Sequence, residues 1–76
     1  MPRYFFHVMD GKAFIDDVGT DLPDLKAAQL KAVRTAAELL VGSEIRWSGS
    51  PWRMSVTDDS RNILYSLEFS ATKHGD

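Results

Sequence analysis

The sequence predicts an α+β domain with the element order β-β-α-β-β, in which one helix packs on one face of a mainly antiparallel four-stranded sheet. Three observations predict it: an aromatic and β-branched stretch near the amino terminus, apolar residues at three-and-four spacing in the middle, and two apolar stretches separated by a turn near the end. Two hairpins joined by a helix most simply form one sheet that is covered on one side. We expect a single domain over residues 1–70, followed by a flexible polar tail over residues 71–76.

The composition is that of a globular protein with a small core. The chain has 76 residues, of which 43% are hydrophobic and 26% are charged. A chain of this length buries only about 60% of the surface that it exposes when unfolded. It has no Cys, so neither a disulfide nor a thiolate zinc site supplements the core. We therefore expect either efficient packing of the helix on the sheet or a second copy that completes the core.

The amino-terminal residues run directly into an aromatic strand, without the basic, apolar and small-residue succession of a signal peptide. No apolar run approaches the roughly 18 to 20 residues needed to span a bilayer. We expect a cytoplasmic protein that does not associate with membranes.

The first hairpin is predicted from residue types and a turn. Residues 3–9 are rich in aromatic and β-branched side chains and end at Asp10-Gly11, which is a turn dipeptide. A second strand over residues 13–16 can pair back on the first. Residues 17–21 are then predicted to be irregular, with Gly19 free to adopt a positive φ.

The helix is predicted over residues 24–41. Asp24 can cap its first turn, and an alternative start uses Asp21 as the cap with Pro23 inside the first turn. Gly42 is the expected terminator. The predicted buried face consists of small and aliphatic residues at helical spacing. These are Leu25, Ala28, Ala32, Ala36 and Leu39, widened by Val33 and Leu40.

The second hairpin follows a loop over residues 43–51. Residues 52–57 alternate apolar and polar side chains, as in a strand with one buried face. Residues 58–62 form a turn, and residues 63–69 form the last strand.

The first strand carries large side chains on both of its faces. Tyr4, Phe6 and Val8 share one face, and Phe5, His7 and Met9 share the other. One helix covers only one side, so aromatic or sulfur-containing surface remains on the uncovered side, which is normally polar.

Tryptophan and arginine are the residues most enriched at binding hot spots, which draws attention to Trp47 and Arg53. Trp52 is expected to fill the core, whereas Trp47 either covers one end of the sheet or belongs to a binding surface. The predicted interaction surface consists of Phe5, His7, Met9, Trp47 and Arg53.

Charge is distributed unevenly, with a basic middle region between acidic flanks and a net charge of −2. The basic residues of the middle region are Lys26, Lys31, Arg34, Arg46 and Arg53. Nucleic-acid binding normally depends on clustered cations without such acidic neighbours. Nucleic acid is therefore an unfavoured partner.

Catalytic and metal-binding motifs are weak. His7, Asp10, Asp16 and Asp17 could gather near the first hairpin, but their spacing matches no defined metal motif, and Asp-rich turns are common for backbone reasons. A Ser or Thr nucleophile would need His7 or His74, and no nucleophile elbow, phosphate loop or dinucleotide fingerprint is present. We predict no enzyme activity, no catalytic or metal-binding residues and no cofactor.

Several motifs nevertheless resemble a known family. They are Pro2-Arg3-Tyr4-Phe5-Phe6-His7, Asp16-Asp17, Gly19-Thr20, Leu22-Pro23-Asp24-Leu25 and Trp52-Arg53-Met54-Ser55-Val56-Thr57-Asp58. Together they resemble a family of small uncharacterised bacterial proteins defined as a domain of unknown function, over residues 2–69. The turn after Thr57 departs from this pattern, since a Gly is expected there. The resemblance implies a bacterial, cytoplasmic protein and brings no activity or cofactor. A weaker similarity is to the antitoxin half of a small toxin–antitoxin system.

The favoured prediction is a non-enzymatic protein-interaction module that forms a homodimer or binds another protein. The alternative is an antitoxin-like regulator linked to nucleic acid. A third hypothesis, a small metal-dependent hydrolase, requires His7 and the acidic loop to converge.

Overall fold

A computed structural model describes residues 2–42, 51–72 and 74–75. These residues form an antiparallel sheet and a helix, which confirms the predicted α+β class. The elements in chain order are β1 (Arg3–Met9), β2 (Ala13–Phe14), β3 (Thr20–Asp21), α1 (Leu25–Gly42), β4 (Trp52–Thr57) and β5 (Ile63–Phe69). The predicted binding residue Trp47 lies outside the described residues.

The centre of the sheet is formed by β1 and β4, which are far apart in the sequence. Its strand order is β2-β1-β4-β5, and β3 also pairs with β1. The central pairing of β1 with β4 places Phe5 opposite Thr57 and Met9 opposite Arg53. β5 then pairs with β4, with an irregularity in register between Val56 and Thr57. All of these pairings are antiparallel.

The segment after the first turn differs from the prediction. β2 ends at Phe14 instead of Asp16, and β3 occurs where irregular structure was expected, so the described sheet has five strands and not four. β2 pairs with the Val8–Met9 end of β1, whereas β3 pairs with its Arg3–Tyr4 end. β2 and β3 therefore pair with the same edge of β1, one at each end of that strand. Residues 15–19, which connect them, leave the sheet between the two pairings. We call residues 15–19 the arc.

The helix begins as the cap chemistry predicts. The Asp24 carboxylate accepts a hydrogen bond from the Ala27 N–H at 2.9 Å, which satisfies a donor of the first turn. The alternative cap, Asp21, belongs to β3 instead. α1 starts one residue later than predicted and continues through Gly42. Within the described residues, no helix has both the length and the apolar character required to cross a bilayer.

The core lies between α1 and one face of the sheet. It contains Tyr4, Ala28, Ala32, Ala36, Trp52, Met54 and Val56, all of them buried. The alanines recur every four residues, so their small side chains allow the helix to approach the sheet closely. Burial of Trp52 confirms its predicted place in the core.

Two residues of the predicted buried face are exposed. The exposed fraction is 46% for Val33 and 38% for Leu39. The physical reason is that the three alanines set the line of closest approach to the sheet. Val33 lies about 100° around the helix from Ala32, at the flank of that line.

Candidate functional site

The face of the sheet opposite α1 carries the side chains that the core does not use, and we call it the open face. Tyr4, Phe6 and Val8 point toward the helix side, where they belong to the core or pack against it. Alternation along β1 therefore places Phe5, His7 and Met9 on the open face. Phe5 and His7 are half-buried there, whereas Met9 is 51% exposed and Arg53, opposite Met9, is also exposed.

Hydrogen bonds on both sides hold the imidazole of His7 in place. The Asp16 N–H donates to Nδ1 at 3.1 Å, and Nε2 lies 3.0 Å from the hydroxyl oxygen of the buried Thr57. Because Nδ1 accepts a hydrogen bond, this geometry assigns the ring proton to Nε2, which then donates to Thr57. The ring also lies nearly parallel to that of Phe5, with 6.5 Å between the centroids. His7 thereby joins β1 to β4 and to the arc.

The carboxylate of Asp16 organises the arc. It accepts hydrogen bonds from the N–H groups of Phe6 at 3.1 Å, Val18 at 3.1 Å and Gly19 at 3.0 Å. Burial raises the pKa of Asp16, but the three backbone N–H groups and the nearby His7 lower it more, so the pKa lies below its ordinary value. The arc is therefore tied to β1 by the ionised carboxylate.

Gly19 completes the arc because only glycine suits its position. Its φ is +78°, in the region that other residues rarely adopt. A Cβ at this position would lie 2.7 Å from Cγ of Arg3 and 2.8 Å from Cε2 of Phe5. The predicted positive φ of Gly19 is confirmed, and the close approach lets the arc lie against the open face.

The turn between β4 and β5 borders the same region. The Asp58 carboxylate accepts hydrogen bonds from the N–H groups of Ser60 and Asn62, both at 2.9 Å. Hydrogen bonds from the backbone and side chain of Asn62 hold the pKa of Asp58 below its ordinary value. Arg61 has a φ of +67°, a conformation that glycine adopts more easily than other residues. The family pattern described above has a glycine in this turn.

Together, these parts enclose an open cleft of about 350 Å³. Its lining residues are Phe5, His7, Ile15, Asp16, Asp17, Thr57, Asp58, Asp59 and Arg61. The cleft therefore combines aromatic and aliphatic surface with four carboxylates and one guanidinium group. Its formal charge is negative, which favours ligands that carry a positive charge.

The convergence required for a metal-dependent hydrolase occurs only in part. His7 and the acidic arc do meet, but through the backbone N–H of Asp16, while its carboxylate is directed to three other backbone groups. Asp10 lies in the hairpin turn beyond β1, away from the cleft-lining residues. In the part of the chain that the structure describes, no three His, Cys, Asp or Glu side chains are grouped so as to hold a metal ion.

A second hollow of about 360 Å³ lies at the other end of the open face. It is lined by Met9, Gly11, Pro51, Trp52, Arg53 and Glu68. The Arg53 guanidinium forms an ion pair with Glu68 across the β4–β5 pairing. Near the start of β1, Arg3 likewise pairs with Asp21, with 3.1 Å between Nε and Oδ1. Both pairs are exposed, so they orient the arginines more than they stabilise the fold.

A family profile described as a domain of unknown function, DUF6894, matches residues 3–70. The chain belongs to the DUF6894 family. The predicted resemblance to a domain of unknown function is thus confirmed, and the match covers every described strand and helix of the DUF6894 domain. No curated protein and no solved structure matches the chain.

The structure divides the predicted interaction residues between two places. Phe5 and His7 line the cleft, whereas Met9 and Arg53 line the second hollow. Sequence reasoning did not place Thr57, Asp58 or Arg61 at the site. The alternation of residues 52–57 does put Thr57 on the face of Arg53, but only the β1–β4 register shows that it lies beside His7.

Proposed function

We propose that this DUF6894 domain is a non-enzymatic protein-interaction module whose open face binds a segment of another protein. One observation carries the proposal: large side chains occupy a sheet face that is normally polar. Met9 and Ile15 are 51% and 68% exposed, and each lines one of the two hollows. Exposed apolar surface beside concave, polar-rimmed regions is typical of interaction sites.

The charge of the cleft indicates the chemistry of the partner. Asp17 and Asp59 are exposed at the cleft, and the carboxylates of Asp16 and Asp58 lie beside them. Arg61 offsets only one of these four charges. A partner segment that carries Lys or Arg next to an apolar side chain fits this combination, since the cation meets the carboxylates and the apolar group meets Phe5.

The hydrogen bonds of the site favour binding because they hold the receptor surface in place beforehand. His7 is fixed at both ring nitrogens, and the arc is fixed by Asp16. A surface that is already ordered loses little conformational entropy when a ligand binds, so more of the interaction energy appears as affinity.

The experiment measures binding of short peptides with graded charge and hydrophobicity by fluorescence anisotropy. We expect basic, apolar peptides to bind, with affinity that falls as salt is added, and acidic peptides to bind much more weakly. Ile15→Lys should weaken binding about tenfold or more, because it places a cation in the cleft. Val18→Lys is the matched control: Val18 is 69% exposed in the same arc but does not line the cleft.

The proposal fails if no peptide binds, if affinity does not depend on charge, or if Ile15→Lys and Val18→Lys behave alike. The same assay with single-stranded DNA and RNA tests the antitoxin-like alternative. Lys26, Lys31 and Arg34, exposed on α1, would carry that function together with the exposed Arg53 of β4. The fifth basic residue, Arg46, lies outside the described residues. Binding of nucleic acid with a steep salt dependence, without peptide binding, would favour the alternative.

A further inference from the structure

The two edges of the sheet differ in how they are protected. One edge is formed by β2 and β3, which are two residues long and separated by the arc. Short, interrupted edge strands resist pairing with another chain. The other edge is β5, which has seven residues, contains neither Pro nor Lys, and pairs on one side only among the described residues. β5 is therefore the edge that is open to a further strand.

The outer side of α1 carries a second line of apolar residues that the core does not use. It consists of Leu30, Val33, Ala37 and Val41, all of them exposed, and we call it the helix stripe. The exposed fraction is 53% for Leu30 and 88% for Val41. Their spacing of three or four residues places them along one line of the helix. Apolar residues at this spacing on a free helix surface are typical of helix–helix contacts.

The contact of Lys31 with Phe6 shows which way Val33 faces. The Lys31 ammonium lies 5.9 Å from the ring centroid of Phe6, so this flank of α1 faces β1. Val33 is two residues further along, which corresponds to about 200° around the helix. In the strand order β2-β1-β4-β5, the strands β4 and β5 lie on the opposite side of β1 from β2. Val33 lies about 100° around the helix from the line of buried alanines and therefore faces the β5 edge. Leu30 and Val41 lie about 160° and 180° from that line, so they face away from the sheet.

We propose that a second copy of this chain binds at the β5 side, as a twofold symmetric dimer in which β5 pairs antiparallel with the partner's β5. The two helices touch through Val33, the member of the helix stripe that faces the β5 edge. The axis passes near Ser66, the middle residue of β5. This register places Tyr65 opposite Leu67 of the partner subunit and Glu68 opposite Leu64 of the partner subunit. The pairing covers the half-buried side chains of Tyr65 and Leu67 and keeps the two Glu68 carboxylates of the dimer apart.

The same axis also aligns the helices. Leu22, just before α1, donates a backbone hydrogen bond to the Pro2 carbonyl at 3.0 Å, so α1 starts at the Arg3 end of β1. β5 starts at that end too, because Ile63 pairs with Thr57 and Thr57 pairs with Phe5. An axis through the middle of β5 therefore passes near the middle of α1. It brings Val33 close to Val33 of the partner subunit.

The flank formed by β5 and α1 sets the upper limit on the size of the contact. β5 is about 23 Å long and α1 about 27 Å long, and the helix and sheet layers together are about 20 Å deep. A strip of these dimensions buries about 500 Å² on each partner. The total of about 1,000 Å² reaches the lower bound for a specific interface. Glu68 is already paired with Arg53, so the charge of this edge does not oppose association.

The dimer is independent of the proposed peptide-binding function, because it uses the β5 edge and leaves the open face accessible. It would place the two clefts on the same side of one continuous sheet, with both helices on the other side. Two equivalent sites held in a fixed relation bind a divalent partner more tightly than one site does.

The test measures molecular mass by sedimentation equilibrium over a range of protein concentrations. We expect the wild-type chain to dimerise and Val33→Glu to raise the dissociation constant about tenfold or more, because two like charges meet at the axis. Val18→Glu is the matched control, since Val18 is equally apolar and 69% exposed but lies in the arc at the opposite edge. Circular dichroism checks that each variant is folded.

A mixture of two variants identifies the symmetric contact. Val33→Glu and Val33→Lys should each be monomeric, whereas an equimolar mixture should recover dimers, because opposite charges then meet at the axis. Slow amide hydrogen exchange along β5 in the wild-type dimer, lost in Val33→Glu, would support the strand pairing. A monomeric wild-type chain at about 100 μM, an equal effect of Val18→Glu, or a mixture that stays monomeric would overturn the proposal.

Discussion

Replacing Asp16 with alanine should destabilise the domain by about 2 kcal/mol, because the arc is held mainly by this carboxylate. Two of its hydrogen bonds, from the N–H groups of Phe6 and Gly19, are partly buried, whereas the third, from Val18, is exposed. A partly buried hydrogen bond contributes about 1 kcal/mol net, and water readily replaces the exposed one. In a domain of this size the loss corresponds to a fall in melting temperature of about 8–16 °C.

Urea denaturation followed by tryptophan fluorescence measures this change in the free energy of unfolding. Asp17→Ala is the control, since Asp17 is the exposed neighbour of Asp16, and we expect a change within about 0.5 kcal/mol. Equal effects of the two substitutions would refute the role of the Asp16 carboxylate.

The pH dependence provides a second readout of the same interaction. The pKa of Asp16 is lower in the folded chain than its ordinary value. Its stabilising contribution is therefore fully present above the unfolded-state pKa of about 4 and is lost as pH falls through the lower folded-state pKa. Asp16→Asn should reduce this acid-induced loss of stability. An unchanged acid profile would contradict the argument.

Three further substitutions test the backbone and the helix. Arg61→Gly should raise the free energy of unfolding by about 1 kcal/mol in thermal melts, because glycine adopts a φ of +67° without steric cost, whereas Arg61→Ala should not. Gly19→Ala should lower the free energy of unfolding by about 2 kcal/mol or more, since an added Cβ meets two side chains. Gly11→Ala should lower it by only about 1 kcal/mol, because the φ of Gly11 is a similar +70° but the space around it is free. Equal urea midpoints for the two variants would argue against the close approach at Gly19. Asp24→Ala should cost about 1 kcal/mol of stability and Asp24→Ser much less, and loss of the cap without a change in urea midpoint would refute its role.

The parts of the fold that depend on local patterns are predictable from the sequence. The extents of β1, β4 and β5 agree with the predictions, and α1 is displaced by only one residue. β3 is different, because its two residues form a strand only through pairing with Arg3 and Tyr4. Nothing in the residues themselves distinguishes them from a turn. The exposure of Val33 could not be predicted either, since helical periodicity does not show which of several apolar lines faces the sheet.

The candidate site is less predictable, because it is assembled from three separated segments. Alternation along β1 indicates that Phe5 and His7 share a face, and this requires no tertiary information. The contact of His7 with Thr57 depends on the register between β1 and β4. The bond between the His7 ring and the arc depends on where β2 ends. Register and strand ends are determined by packing across the whole domain, which a single sequence does not display.

The central pairing of β1 with β4 also has a consequence for biosynthesis. Phe5 pairs with Thr57, far away in the sequence, so the middle of the sheet cannot form until β2, β3, α1 and β4 have all been translated. The aromatic residues of β1 leave the ribosome before β4 and remain without their main partner strand until then. Such non-local pairing slows folding and leaves an aggregation-prone strand exposed. The first hairpin and α1 are local and can form early, so the nascent chain is most vulnerable during the interval before β4 emerges.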